Sequence, residues 1–206
     1  GNPDLIHVHS ALNSGLLAIA LKEKHGIPYV LTEHSSLIAG RKISAAQHKL
    51  INTIYQKSSA NIAVSDAFNS TLSDFFPNTS WTTIPNLVDD TLFSPSPWMS
   101  SRSDSDRIQF IFVGNLIERK NVIPLIYALE IVSKSIDARL WIVGEGKLKE
   151  KIRKLSIQIG IDSRVHFLGV LDRDSLANRI KSADCLVLPS KLETFGVVII
   201  EALSCG

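Results

Sequence analysis

Cysteine is scarce: Cys185 and Cys205 are the only two in 206 residues. Two thiols cannot build a disulfide framework, and they are not spaced as a zinc-binding pair. Both stand among apolar or small residues, which predicts buried, reduced thiols of a cytosolic kind. No apolar run reaches the roughly 18 residues that a membrane-spanning helix needs. The opening Gly1-Asn2-Pro3-Asp4 has neither the basic nor the apolar region of a secretory signal, so the sequence as written reads as soluble. Charge of one sign is not in excess either. The 22 Lys and Arg against 20 Asp and Glu leave a net charge of +2, which gives no electrostatic reason to expect nucleic acid as a partner. No glycine-rich loop ends in Gly-Lys-Ser or Gly-Lys-Thr, which removes a P-loop nucleotidase. Gly144-Glu145-Gly146 begins a dinucleotide fingerprint, but Lys149 stands where its third glycine belongs.

What is present is a globular composition, 45% hydrophobic and 20% charged, arranged in an alternating rhythm. Short apolar runs read as buried strands at Leu5 to His9, Pro28 to Glu33, Asn61 to Ser65, Ile108 to Gly114, Arg139 to Gly144, Val165 to Leu168 and Cys185 to Pro189. Between them lie segments with apolar residues at three and four spacing, among them Leu12 to Lys24, Val122 to Lys134 and Leu148 to Ile159. Strand, helix, strand at this interval predicts an α/β fold with parallel sheets and helices on both faces. The rhythm breaks between Asp89 and Asp106, where Ser94-Pro95-Ser96-Pro97 and Ser100-Ser101-Arg102-Ser103-Asp104 have the composition of a linker. The expected division is residues 1–90, a linker over 91–106, and 107–206. Strand-like sequence begins abruptly at Asp4 and the last residues form a helix C-cap signal, so both domains are expected to be incomplete parts of a longer chain.

In parallel sheets, ligands bind beyond the carboxyl ends of the strands. That rule directs attention to Val113-Gly114, Val143-Gly144, Leu168-Gly169 and Pro189-Ser190, where a glycine or small residue lets a ligand approach the backbone. The segment Ser190 to Ala202 carries the most chemistry. A strand ends, a helix begins, and free backbone N–H groups at Thr194, Phe195, Gly196 and Val197, with the helix macrodipole, would suit a diphosphate. Glu193 and Glu201 bracket this helix start, up to about 12 Å apart along a helix axis. Glu201 follows four apolar residues, an unexpected place for a purely solvated charge. Asp104-Ser105-Asp106 falls in the linker, and in Asp172-Arg173-Asp174 the first residue reads as a helix N-cap, so neither pair predicts a metal site. His7 and His9 share one strand face, and with no third ligand near them in sequence they read as structural.

Taken in chain order, these segments resemble the landmarks of a known family. Glu193 and Glu201 with seven residues between them resemble the motif of retaining glycosyltransferases of the GT-B fold, family four. Phe112-Val113-Gly114-Asn115-Leu116-Ile117-Glu118-Arg119-Lys120 looks like that family's Val-Gly-Arg-Leu-x-x-x-Lys motif. Val143-Gly144-Glu145-Gly146, Val165-His166-Phe167-Leu168-Gly169, Ala183-Asp184, Ile84-Pro85-Asn86-Leu87-Val88-Asp89 and the strand-end Thr32-Glu33-His34 are also similar. The resemblance implies two Rossmann-like parallel-sheet domains, both incomplete here. Residues 1–90 would be the carboxyl part of an acceptor-side domain, and residues 107–206 a donor-binding domain.

The implied activity is transfer of a sugar, with retention, from a UDP-, GDP- or ADP-sugar to a glycan or lipid-linked acceptor, in bacterial surface polysaccharide synthesis by analogy. No metal cofactor is implied, and cationic side chains with a helix terminus would take its place. By the same resemblance Glu193, Lys120 and His34 form the catalytic set. Glu193 would grip the sugar hydroxyls, Lys120 the diphosphate, with Arg119 as helper, and His34 the reacting sugar. Glu201 would hold the ribose, the backbone near Val170 and Leu171 the base, and Gly144 would border the donor. Asn115 departs from the pattern, since the family has arginine there, and it cannot supply charge to a leaving diphosphate. A cytoplasmic protein is implied, with peripheral contact at the inner face of the plasma membrane through its missing N-terminal region. Two other readings stay open: a noncatalytic nucleotide-binding module that kept this fold, and a phosphorylase-like or epimerase-like relative.

Overall fold

Each of two units is built around its own parallel sheet. The computed structural model describes residues 3–95 and 107–206. The first unit is Gly1–Asn86 joined by Leu192–Phe195, and the second is Leu87–Lys191 with Gly196–Gly206. Among the described residues no helix is long and apolar enough to cross a membrane.

In the first unit the chain runs β1 (Ile6–His9), α1 (Ala11–His25), β2 (Tyr29–Glu33), α2 (Ser36–Ala39), α3 (Ala45–Lys57), β3 (Ala60–Ala63), α4 (Asp66–Phe75) and β4 (Thr82–Thr83). All pairings are parallel, in the order β1-β2-β3-β4. Local chemistry sets the helix ends. Gly26 closes α1 in the left-handed conformation, and its N–H donates to the Lys22 carbonyl. Ser44 and Gln47 form a capping box at the start of α3, satisfying two backbone donors that would otherwise be unpaired. α1 and α3 pack together at Gly15, where a β-carbon would fall 2.7 Å from the Ile54 side chain. The core holds Tyr29, Leu31, Ile51, Ile54, Tyr55, Leu72 and Phe76, all essentially inaccessible to water, with each Leu, Ile or Phe side chain contributing about 1.5–3 kcal/mol by burial. β4 escapes a reading by pattern, because two threonines are too short a run to show a period.

The second unit contains β5 (Arg107–Val113), α5 (Val122–Val132), β6 (Asp137–Val143), α6 (Lys149–Gln158), β7 (Val165–Gly169), α7 (Arg173–Ser182), β8 (Cys185–Leu186) and α8 (Val197–Cys205). Its sheet order is β7-β6-β5-β8 and every pairing is parallel. From β5 the chain steps outward through β6 to β7, then returns to the opposite side of β5 for β8. α5 packs on α6, and α7 on α8. The order thus reverses at β5, and in open parallel sheets it is the crevice outside the strand carboxyl ends at such a reversal that takes ligands. Asp172 caps α7 as its sequence predicts, accepting from the Ser175 N–H at 2.8 Å.

Two expectations are revised. Of the predicted linker, residues 96–106 lie outside the described residues, but 91–95 belong to the second unit, as do residues 87–90, expected in the first. Thr91 and Leu92 donate to the Asp89 carboxylate, the Phe93 N–H donates to the Asp89 carbonyl at 2.8 Å, and the Phe93 ring is fully buried beside Ile111 and Val143. One aromatic anchor outweighs the polar composition around it. Of the two free thiols, Cys205 is buried as expected, whereas Cys185 is exposed. Cys185 begins a two-residue strand that pairs only with β5 among the described strands, so its apolar sequence neighbours do not enclose it.

Candidate functional site

At the crevice of the second unit the strand ends are laced together by backbone hydrogen bonds. Gly114 N–H donates to Val143 O (3.0 Å), Gly144 N–H to Gly169 O (2.7 Å), Leu116 N–H to Glu145 O (2.8 Å) and Leu148 N–H to Leu116 O (3.0 Å). A register shift between Ile142 and Val143 brings Val143 opposite Gly169, a bulge of the kind that re-aims backbone beside ligand sites. The approach is so close that a β-carbon on Gly144 (φ +124°) would stand 2.2 Å from the Gly114 carbonyl oxygen, and one on Gly146 2.5 Å from that of Leu116. Only glycine fits at these two positions, and for a packing reason.

Beyond β5, Asn115 is exposed and its carbonyl accepts from the Ile117 N–H at 2.9 Å. Arg119 and Lys120 follow on a single 3₁₀ turn, Glu118–Lys120. The Lys120 side chain folds back across Gly114, with Cε 3.4 Å from where a β-carbon would stand. From the far side of the crevice the Lys191 N–H donates to the Arg119 carbonyl at 2.9 Å. This hydrogen bond joins the lysine turn to the loop after β8, two segments that lie far apart in sequence. Next to it the Ser190 hydroxyl is buried with no hydrogen-bond partner among the described residues.

α8 starts at Val197 behind Gly196, which adopts φ +81° and supplies no side-chain cap. The Ile199 N–H already donates to the Gly196 carbonyl at 2.8 Å, so in the first turn of α8 it is the Val197 and Val198 amides that an anion could meet. Glu201 lies on the buried face of α8 at 9% exposure. Burial pushes its carboxyl above the ordinary carboxylate value, and the nearby Arg173 pulls the other way. Val170, just past β7, is 76% exposed, and Leu171 beside it packs against the Phe93 cluster. Asn115, Arg119, Lys120, Gly144, Val170, Leu171, Gly196, Val197 and Glu201 thus all belong to the second unit.

Glu193, Thr194 and Phe195 cluster with the first unit instead. The Ser65 hydroxyl donates to the Thr194 carbonyl at 2.7 Å, and Phe195 packs against the first core. His34 follows β2 in the same unit. The parallel register sets His9 opposite Thr32, and two residues further on His34 Nε2 meets His9 Nδ1 at 3.0 Å. The His7 and His9 rings lie tilted against each other with centroids 4.3 Å apart, and His7 Nε2 is hydrogen-bonded to Thr32 Oγ1 at 2.8 Å. The two strand histidines, which read as structural in the sequence, therefore adjoin a predicted catalytic one. Burial first, then the neighbouring His9, lowers the pKa of both His7 and His34. Sequence reasoning also passed over Glu33, which is fully buried. Among the described residues no group of three or more His, Cys, Asp or Glu could hold a metal ion.

The second unit's parallel sheet, with its order reversing about β5, is Rossmann-like, and two parallel-sheet α/β units in one chain fit the GT-B class. The chain belongs to the glycosyl transferases group 1 family, whose model matches residues 99–206, while residues 1–92 match the glycosyltransferase family 4 model. It is 29% identical to N-acetyl-alpha-D-glucosaminyl L-malate synthase of Bacillus anthracis, over all of this chain and 55% of that protein. It is 28% identical to glycogen synthase of Mycobacterium tuberculosis, over 99% of this chain and 50% of the relative. The chain spans about half the length of these curated relatives. Its fold matches sucrose-phosphate synthase from Thermosynechococcus elongatus with a TM-score of 0.85 at 23% identity, covering 98% of this chain and 54% of that one. It also matches Anabaena HepE in complex with UDP-glucose, with a TM-score of 0.81 at 21% identity, covering 98% and 57%.

Proposed function

We propose that this chain is part of a retaining glycosyltransferase and carries its site for a nucleoside diphosphate sugar. The observation that carries the reading is the hydrogen bond from the Lys191 N–H to the Arg119 carbonyl at 2.9 Å. It holds the Lys120 turn beside the loop that follows β8. In this reading the diphosphate docks at the uncapped N-terminus of α8, with Lys120 supplying a positive charge and Arg119 assisting. Glu201 takes the ribose hydroxyls, and the backbone at Val170 and Leu171 borders the base. The family resemblance adds Glu193 at the sugar hydroxyls and His34 at the reacting sugar.

The bond from the anomeric carbon to the diphosphate oxygen breaks, the diphosphate leaves with the electron pair, and an acceptor hydroxyl oxygen forms the new bond on the same face while its proton passes to the departing diphosphate. Fixed donors aimed at the departing charge lower that barrier more than a general base could. In this proposal the cations and the helix terminus do what a metal does elsewhere. Structural relatives solved with UDP-glucose or UDP support a nucleotide-sugar donor, and a glycan or lipid-linked acceptor fits the family.

The test is to incubate the full-length protein with UDP-, GDP- and ADP-sugars and candidate acceptors, following nucleotide release by mass spectrometry and the anomeric configuration of the product by NMR. Transfer with an unchanged anomeric configuration is expected from one donor class. An inverted product would overturn retention. Asn115, exposed where the family has arginine, favours a second reading as a noncatalytic nucleotide-binding module. Tight nucleotide binding with no turnover of any donor would select it.

A further inference from the structure

Glu33 sits at the end of β2 with no exposed surface, and four donors converge on its carboxylate. Oε1 accepts from the N–H groups of His34 (2.9 Å) and Ser35 (2.8 Å). Oε2 accepts from the Ala11 N–H (3.0 Å) and the Tyr55 hydroxyl (2.7 Å). An ionised carboxylate offers about four acceptor positions, and here each oxygen takes two donors. The donors come from three places: the first residue of α1, the turn after β2, and α3. Ser10 completes the lacing, since its N–H donates to the Thr32 carbonyl at 2.9 Å and its hydroxyl accepts from the His34 N–H at 3.3 Å. Ser10 itself holds φ +66°, an uncommon backbone conformation for a residue with a side chain.

Burying a carboxylate gains little net stability even when it is fully paired, so stability alone does not explain this arrangement. What it does achieve is geometric. The peptide units on both sides of His34 are tied to one oxygen, and the other oxygen ties down the helix start close to His9, whose ring meets that of His34. We propose that Glu33 is the positioning residue for His34, holding its backbone and, through Ala11, the neighbouring His9, so that the His34 ring is presented in one orientation and one tautomer. This rests on the reading above in which His34 meets the reacting sugar. Preorganisation of this sort matters because a displacement of about 1 Å at a reacting group can cost about 100-fold in rate.

The experiment uses the full-length protein and the variants Glu33→Gln, Tyr55→Phe and His34→Ala. Glu33→Gln puts an amide N–H₂ where an acceptor is needed. Tyr55→Phe removes one donor and keeps both acceptor oxygens of Glu33. Both are expected to lower kcat, Glu33→Gln by about 10- to 100-fold, with donor KM within about twofold. Their His34 ring ¹⁵N shifts at pH 8 should move from a single-tautomer pattern toward a mixture. Should Glu33→Gln fail to fold, Tyr55→Phe is read in the same two ways. Folded variants with wild-type kcat and unmoved His34 nitrogen shifts would overturn the proposal. If His34→Ala transfers sugar at the wild-type rate while Glu33→Gln still shifts the His34 nitrogens, the catalytic reading of His34 fails and its positioning by Glu33 stands.

Discussion

Lys120 lies along Gly114, its Cδ and Cε 3.6 and 3.4 Å from where a β-carbon on that glycine would stand. The chain's own turn therefore carries this lysine back over the carboxyl end of β5, into the crevice where the sheet order reverses. Lys120→Ala should cut transfer by the full-length protein by about 100- to 1000-fold, the range for loss of one fixed donor at a departing charge. Because the residue is only half-buried, the thermal midpoint should stay near that of the wild type. Steady-state kinetics and a melting curve check both parts, and a wild-type kcat/KM would remove Lys120 from the mechanism.

Gly144 is a packing requirement. A β-carbon there would stand 2.2 Å from the Gly114 carbonyl oxygen, on a backbone with φ +124°. Gly144→Ala should destabilise the second unit by about 3 kcal/mol or more, through strain and displacement of the β5 end together. Gly160→Ala is the control, since its φ of +73° is also strained but nothing lies within 4 Å, and it should cost less. Urea unfolding of the two variants checks the order, and equal losses would refute the contact.

The fold is readable wherever the pattern is local. Seven strands and the long helices show in runs such as Arg107–Val113 and Val122–Val132, because burial on one or both faces imposes a period. β4 and the anchoring of Phe93 are not readable, as each depends on a contact with residues distant in sequence. The site divides in the same way. Lys120, Glu201 and the glycine strand ends stand in recognisable spacings, whereas Glu33 gathers donors from Ala11 and Tyr55, 22 positions away on either side. His9 meets His34 only because the parallel register of β1 and β2 brings them together.

The histidine group predicts a pH response of the first unit. His7 and His34 have folded pKa values below the ordinary 6.5, chiefly from burial. The unfolded chain therefore binds protons that the folded chain resists. The stability they support is present above pH 6.5 and is lost as pH falls through their lowered values. Urea midpoints should decline from about pH 7 toward about pH 5, and His34→Gln should flatten the decline. A midpoint unchanged by the substitution across that range would contradict the shift.

Glu201 predicts the opposite sign in the second unit. Burial raises its carboxyl pKa above the ordinary 4.5, with Arg173 opposing, so the folded chain holds a proton that the unfolded chain has already released. Stability from this group is present below pH 4.5 and is lost as pH rises through the raised folded value. Above that value the carboxylate sits ionised on the buried face of α8 at a cost. Glu201→Gln removes the titration while keeping size and polarity, so it should raise the thermal midpoint at about pH 7 and leave it near that of the wild type at about pH 4. If Glu201 grips the ribose, the same variant should also weaken nucleotide binding, because an amide replaces one acceptor oxygen with a donor. A stabilised variant that binds nucleotide less well would mean that this buried carboxylate is kept for the ligand at the expense of the fold. A variant whose midpoint matches the wild type at both pH values, with unchanged affinity, would deny both roles.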